Sequence, residues 1–407
     1  MNPAERRAGA SLAAIFALRM FGLFLILPVF AEYARNSIPG GNNTTYVGLA
    51  MGAYGFTQAF LQIPFGMASD RYGRKPVILF GLALFVVGSI VAALATDIYA
   101  VIAGRALQGA GAISAAVTAL AADLTRDQHR TKIMAMIGSS IGLVFALSMV
   151  AAPLLLNAVG MSGIFWLIAV LAFGAMALTV WAVPPVPTTP ALRTASPEKG
   201  ISVDGGVFRQ ILCHGSLMRL NFGIFALHLI QMMMWVTVPT ALTTQGGLPV
   251  IEHWKIYLPA VLLAIAIMVP AIIAAERGGR FKLVYTGAVT LLALVQFGLH
   301  TAAGNVWLTA SWLTLFFISF NILEAMQPSL ISRIVSPEIK GAALGVYNTL
   351  QSVGVFLGGV IGGWINHRFG ETAVGWCCGA IALAWLVLSA AYPLSPPPKK
   401  ESSNYQT

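Results

Sequence analysis

Four ionisable side chains stand inside long apolar runs of the sequence: Arg19, Arg105, His228 and Glu324. Glu324 is the one acid well inside such a run, and a carboxyl held away from bulk water can bind and release a proton reversibly. The His228 imidazole can exchange a proton near neutral pH without assistance. Two readings stand for this set: proton or cation handling by Glu324 and His228, or a structural pair that Glu324 makes with Arg19 or with His228. Tyr54, Gln58 and Gln62 recur at every fourth position and share one helical face. Gln231 and Trp235 accompany His228, and Phe317 and Asn321 precede Glu324 at helical spacing. This mixture of aromatic, amide and apolar groups suits an amphiphilic small molecule better than a sugar, which demands dense hydrogen bonding. Met232, Met233 and Met234 either lend adaptable packing to that lining or face lipid, and the lipid-facing reading is preferred.

Other chemistries find no support. There is no H-E-x-x-H, no paired acids and no Cys–His nucleophile, so no catalytic residue, metal or cofactor is expected. Cys213, Cys377 and Cys378 form neither a disulfide framework nor a metal motif. The net charge of +10 is not laid out as a basic stripe with interleaved aromatics, so nucleic acid is excluded as a partner. No repeated ring or filter suggests a channel.

The elements that position these residues follow from composition. Of 407 residues, 57% are hydrophobic and 9% charged, with mean hydropathy +0.80. Soluble domains carry about 25% charged residues, so the solvent of this chain is largely lipid. Runs long enough to cross a bilayer, about 20 residues each, cover 10–31, 46–68, 77–95, 99–122, 133–155 and 162–183. They resume at 216–242, 253–275, 283–301, 306–332, 342–365 and 373–393. The expected fold is an all-α polytopic membrane protein of twelve transmembrane helices in two groups of six. Residues 1–183 and 216–394 are the two bundles, 184–215 a Pro-containing cytoplasmic linker with a short interfacial helix near 203–213, and 395–407 a polar tail. The first run has no small-residue cleavage site and reads as a retained helix. With the N-terminus inside, 19 of the 24 Lys and Arg fall in inner segments; Arg35, Lys255 and Arg368 lie outside. Both termini are therefore expected in the cytoplasm.

An internal repeat carries the argument further. Asp70-Arg71-Tyr72-Gly73-Arg74 follows the second span, and Glu276-Arg277-Gly278-Gly279-Arg280 follows the eighth, 206 residues later. Six spans per copy give both copies the same membrane orientation, so the halves are parallel repeats with a substrate site between them near mid-membrane.

The stretch Gly66-Met67-Ala68-Ser69-Asp70-Arg71-Tyr72-Gly73-Arg74-Lys75 resembles the signature loop of the major facilitator superfamily, G-x-x-x-D-R-x-G-R-K. Arg105-Ala106-Leu107-Gln108-Gly109-Ala110-Gly111 resembles its R-x-x-x-G-x-G element, associated with proton-coupled members. Gly138-x-x-x-Gly142 with Pro153 is a degraded form of the antiporter motif G-x-x-x-G-P-x-x-G. The resemblance covers about residues 10–393. Leu18–Phe24 and Asp123–Gly142 look most like YajR-type bacterial inner-membrane exporters. The further soluble C-terminal domain that such exporters often carry is not expected here.

The resemblance implies several roles. Asp70 is expected to face the start of span 11 near Lys340-Gly341-Ala342, where a helix N-terminus favours a carboxylate by about 0.3–1 kcal/mol. Arg74 is expected to pair with Asp123, and Gly73 to make a turn with positive φ. With Gly66 these residues would latch the outward-facing state, whereas Arg71 and Lys75 serve inner retention of charge equally well. Glu276, Arg277, Gly279 and Arg280 form the second copy of the loop. Arg105 corresponds to an arginine that influences protonation of a nearby acid. No acid lies at mid-depth in the first six spans, so the proton acceptor is either Glu324 across the cavity or Glu32 near its mouth. Gly354, Gly358, Gly359, Gly362 and Gly363 in span 11 permit close helix approach, either as a gliding surface or as static packing. The expected function is proton-coupled efflux of amphiphilic small molecules or drugs by alternating access, from a monomer in the bacterial inner membrane. The alternative is an exporter or facilitator of sugar-like metabolites.

Overall fold

The computed structural model describes residues 1–184, 205–302, 304–336 and 339–390, and every regular element among them is helical. In chain order these are α1 (Pro3–Phe24), α2 (Phe30–Ser37), α3 (Thr44–Tyr72), α4 (Arg74–Ala93), α5 (Ile98–Ala110), α6 (Ser114–Asp123) and α7 (Asp127–Trp181). There follow α8 (Gly205–Cys213), α9 (Gly215–Thr244), α10 (Trp254–Arg277), α11 (Phe281–Thr301), α12 (Val306–Ile334), α13 (Lys340–Phe369) and α14 (Glu371–Ala390). The expected linker and tail fall mainly on 185–204 and 391–407, outside the described residues.

Local chemistry sets the helix starts. Asn2 and Glu5 form a capping box around Pro3 at the start of α1. Asn43, Asp97 and Asn305 accept backbone N–H groups at the starts of α3, α5 and α12. Beyond the caps the residues are mostly apolar, and in lipid each backbone group must find its partner within its own helix. Gly160, at φ 68°, divides α7 into two arms where the expected segments 133–155 and 162–183 meet. Twelve crossings result: α1, α3, α4, the broken pair α5–α6, the two arms of α7, and α9 to α14.

The two groups of six meet unevenly. One apolar core runs through the second group and the Thr44 end of the first. A separate core fills the first group near the Asp70 end, drawn from Leu12, Phe65, Ile78, Val117 and Ile133 among others. Helices α3 and α13 make the closest approach, and their glycines are the reason. A Cβ on Gly48 would lie 2.0 Å from the Gly359 carbonyl oxygen, and one on Gly363 2.3 Å from that of Thr44. Toward the Asp70 end the same helices part. A Cβ on Gly66 would meet only Ala115 of its own group, and at Gly341 and Gly345 nothing lies within 4 Å. The halves are thus closed at the Thr44 end and apart at the Asp70 end.

The glycines of span 11 face two different neighbours. Gly354, Gly358 and Gly362 turn toward α9, where added Cβ atoms would lie 2.4 Å from Phe225 O, 2.4 Å from Leu229 O and 2.9 Å from Met233 Cγ. Gly359 and Gly363 turn toward α3 of the other half. One row is internal packing and the other is the contact between halves. The methionine expectation is corrected: Met232, Met233 and Met234 are buried, with Met233 Sδ 3.7 Å from Cys378 Sγ, and do not face lipid. Gly138 and Gly142 have open space around them, so the degraded motif in span 5 makes no tight helix contact.

Candidate functional site

The first half holds two buried guanidiniums beside one tyrosine. Arg19 has 0% exposure, and its Nη2 donates to Tyr54 Oη at 2.8 Å, Gly111 O at 3.1 Å and Gln58 Oε1 at 3.4 Å, while Nη1 donates to Ser114 Oγ at 3.3 Å. Arg19 and Arg105 lie over the Tyr54 ring at 5.9 and 5.4 Å, and Arg19 also over Phe85 at 5.7 Å. Arg105 donates to Gln108 Oε1 at 2.7 Å and Ala50 O at 3.4 Å; Gln108 in turn donates to Ser89 Oγ at 2.9 Å. Neither arginine has a carboxylate partner among the described residues. Neutral oxygens and ring faces offset the loss of water around these charges.

The glycines of the R-x-x-x-G-x-G element explain this arrangement. A Cβ on Gly109 would sit 2.0 Å from Tyr54 O, and one on Gly111 2.3 Å from Gly81 O. Both positions let α5 press against α3 and α4. The helix breaks at Gly111–Ile113, between α5 and α6, which frees the Gly111 carbonyl to accept from Arg19.

The second half holds the acid. Glu324 on α12, His228 on α9 and Gln351 on α13 converge, with Glu324 Oε2 3.7 Å from His228 Nε2. Gln351 Nε2 lies 2.8 Å from His228 Nε2 and donates to Glu324 Oε1 at 3.4 Å, while His228 Nδ1 is 3.2 Å from Ile224 O. The Glu324 side chain is 38% exposed and that of His228 8%. Of the two possible structural partners, the structure brings His228 to Glu324 and places Arg19 in the other half. The two centres are nonetheless joined: Gln58, which accepts from Arg19, donates through Nε2 to Ser352 Oγ at 3.1 Å, and Ser352 follows Gln351 on α13.

The expected lining divides. Gln58, Asn321 and Glu324 are partly exposed, whereas Tyr54, Gln62, Gln231, Trp235 and Phe317 are buried. Tyr54 is therefore corrected from a lining group to a buried contact shared by Arg19 and Arg105. The aromatics instead bridge the halves in edge contacts from Phe24 to Phe145, Phe145 to Phe317 and Trp235 to Tyr257, with a tilted contact from Phe317 to Trp235, at 5.1 to 6.4 Å. Glu32 is buried on α2, where Asn36 donates to its Oε1 at 2.8 Å and its Oε2 has no partner. Sequence reasoning missed Gln351, Ser352, Gln108 and Ser114. The available signal was the Gln351–Ser352 pair standing beside the glycine rows of span 11.

At the Asp70 end the loop residues pair as follows. Arg74 Nε donates to Asp123 Oδ2 at 3.0 Å and Nη1 to Ser69 Oγ at 2.8 Å, and Arg74 also pairs with Asp70. Gly73 has φ 94°, as expected, and its counterpart Gly279 has φ 62°. In the second copy Glu276 pairs with Arg333 at 3.2 Å, and Arg333 lies 4.3 Å over the Phe281 ring. Each copy therefore ties the loop after its second crossing to the end of its fourth, with the charges exchanged. Asp70 bonds to Arg74 and makes no hydrogen bond to residues 340–342 among the described contacts. Arg71 lies over the Tyr72 ring at 5.4 Å, while Arg277 and Arg280 make no ion pair among the described contacts.

Several basic residues of the expected inner segments serve as caps. Arg7 donates to Ala182 O and Trp181 O, and Lys75 to Val183 O, at the end of α7. Arg126 holds Glu5 in two bonds of 2.8 and 3.1 Å ahead of the first apolar segment. That guanidinium, followed by the Asn2 N–H, keeps the Glu5 carboxyl at about 2.

Three comparisons bear on this geometry. The family model for the Major Facilitator Superfamily matches residues 11–359 and 321–407. The inner membrane transport protein YajR of Escherichia coli (strain K12) is 44% identical over 390 residues, covering 96% of this chain and 84% of that protein. A Buchnera aphidicola transporter, BU466, is 31% identical over 88% of this chain and 90% of its own length. Among solved structures, a D-xylose-proton symporter shares the fold at a TM-score of 0.74 with 16% identity, covering 95% of this chain and 98% of the other.

Proposed function

The chain belongs to the major facilitator superfamily, and from that premise we propose proton-coupled export of amphiphilic small molecules by alternating access. It is a multi-pass secondary transporter and not an enzyme. The observation that carries the finer reading is the partly exposed Glu324 side chain, its Oε2 enclosed, backed by His228 and Gln351. A charge at mid-membrane costs at least about 2.5–3.5 kcal/mol on insertion scales, so an acid retained there has work to do. Many of the nearby amides are already engaged, Gln108 with Arg105, Gln351 with His228 and Gln58 with Ser352, which supports an amphiphile over a sugar.

In this reading residues 1–183 and 216–394 rock about their shared interface, with both termini in the cytoplasm of a bacterial cell and the monomer as working unit. The Asp70 end is then the cytoplasmic end, and the structure is the inward-open state. Release of Asp70 from the start of α13 and its pairing with Arg74 fit a latch that closes only when the Thr44 end opens.

The test is Glu324→Gln, with stability and flux measured on the same purified protein. Because the side chain is partly exposed, although its Oε2 is enclosed, folding should suffer less than the about 3–5 kcal/mol lost when a fully buried pair is broken. In proteoliposomes with ethidium as the amphiphilic probe, pH-driven uphill transport should vanish while downhill exchange survives. A stable variant with full uphill transport would remove Glu324 from the coupling and transfer the role to Glu32.

A further inference from the structure

We infer that Gln351 is a positioning residue that turns the protonation state of the His228–Glu324 pair into a force on the interface between the halves. The inference rests on the proton-coupled reading above and assigns the step that follows protonation. Its chemistry begins with the amide. An –NH2 group donates and does not accept, and Gln351 Nε2 lies within bonding distance of both His228 Nε2 and Glu324 Oε1. This arrangement fits the imidazole tautomer that carries its proton on Nδ1, directed at Ile224 O, and leaves Nε2 to accept from the amide.

A proton arriving on His228 Nε2 sets two donors against each other at 2.8 Å. Gln351 must then either turn its Oε1 to the imidazolium, which removes its donor from Glu324, or withdraw from the ring. Withdrawal leaves the imidazolium to Glu324 Oε2, now 3.7 Å away and without a hydrogen-bond partner. Either movement acts on α13 one residue before Ser352, whose hydroxyl takes the hydrogen bond from Gln58 of the other half. On one side of that point Gly354 and Gly358 tie α13 to α9, next to His228; on the other, Gly359 and Gly363 leave it a smooth face on α3. The proton site, the amide and the moving contact are thus consecutive.

The groups facing His228 are few. Glu324 comes from α12, and from α13 come Gln351 and, behind the carboxylate, the buried and unpartnered Tyr347 hydroxyl. From α3 comes Gln58, which accepts from Arg19 of α1 and so links that charge to this region. Helices α2, which carries Glu32, and α8, which carries Arg209, also pack against α9.

The experiment uses the full chain in nanodiscs, with native cysteines replaced and spin labels at exposed Tyr72 and Gly341, whose separation reports opening of the Asp70 end. Distances are recorded across about pH 5 to 8, where imidazole titrates. The unaltered sequence should change its ratio of open to closed forms with pH. Gln351→Leu, which neither donates nor accepts, should abolish that change, and Ser352→Ala should reduce it while leaving the His228 contacts in place. Gln351→Asn, the milder variant, should keep a weakened response and guards against misfolding of the leucine form. A pH response of Gln351→Leu equal to that of the unaltered sequence would overturn the role of Gln351 alone. No pH response in the unaltered sequence would overturn the proton-coupled reading itself.

Discussion

Replacing Gly359 by alanine should change which state the protein occupies without changing how firmly it folds. The added Cβ would lie 2.3 Å from Gly48 O and 3.0 Å from Gly52 N and Cα, where ordinary contact begins at 3.4 Å. Helices α3 and α13 must therefore part by about 1 Å, and overpacking of this kind costs about 1–3 kcal/mol. The cost exists only while the Thr44 end is closed, so it appears as a population shift of about 5- to 150-fold toward the form open at that end. Gly354→Ala supplies the control on the same helix. Its Cβ would meet Phe225 O at 2.4 Å, inside the second half, where the contact persists in both states. It should lower thermal stability by a comparable energy and leave the populations alone. Spin-label distances across each end, read beside thermal unfolding in detergent, separate the two effects. If Gly359→Ala lowers stability and leaves the distances unchanged, the assignment of the two glycine rows is wrong.

Two further outcomes are expected. Asp123→Asn should alter stability by under about 1 kcal/mol, since the Arg74–Asp123 pair is partly exposed and Arg74 keeps Asp70. It should still change cysteine accessibility at the Asp70 end, and unchanged accessibility with normal flux would remove Asp123 from the latch. The Glu5–Arg126 clamp should show in acid: the carboxyl is held at about 2 against an ordinary 4.5, so its contribution is complete above pH 4.5 and is lost as pH falls toward 2. Thermal unfolding measured through that window should lose part of its acid dependence in Arg126→Met, and an identical profile would show that the clamp does not act in solution.

The twelve crossings were legible because lipid leaves the backbone one economical solution, and the repeated loop was legible because an acid, a glycine and an arginine at fixed spacing answer a turn that needs positive φ. Gly73 and Gly279 both adopt it. Burial inside the bundle was harder to read. Tyr54, Gln62 and Phe317 have the spacing of a lining face, but helical periodicity does not distinguish a face turned to a cavity from one turned to a neighbouring helix. The methionines of α9 failed for the same reason, since helices surrounded by other helices are apolar on all sides. Arg19 was recognised as costly inside the membrane, but its actual partners are a carbonyl freed by a helix break, a phenol, an amide and a hydroxyl. None of these follows from spacing along the chain.

Under the proposed coupling, the position of Gln351 and Ser352 lets one helix both sense and move. Consecutive residues of an α-helix point about 100° apart, so the pair addresses two different neighbours at the same depth. Gln351 turns into the second half toward His228 and Glu324, and Ser352 turns out toward Gln58. The glycines repeat that division farther along α13, with 354 and 358 toward α9 and 359 and 363 toward α3. In the proposed rocking, a helix divided in this way moves with its own half while its other face changes partners. On that reading protonation needs to shift only a side chain at the boundary between these faces, because α13 packs against its own half and also carries the contact to the other.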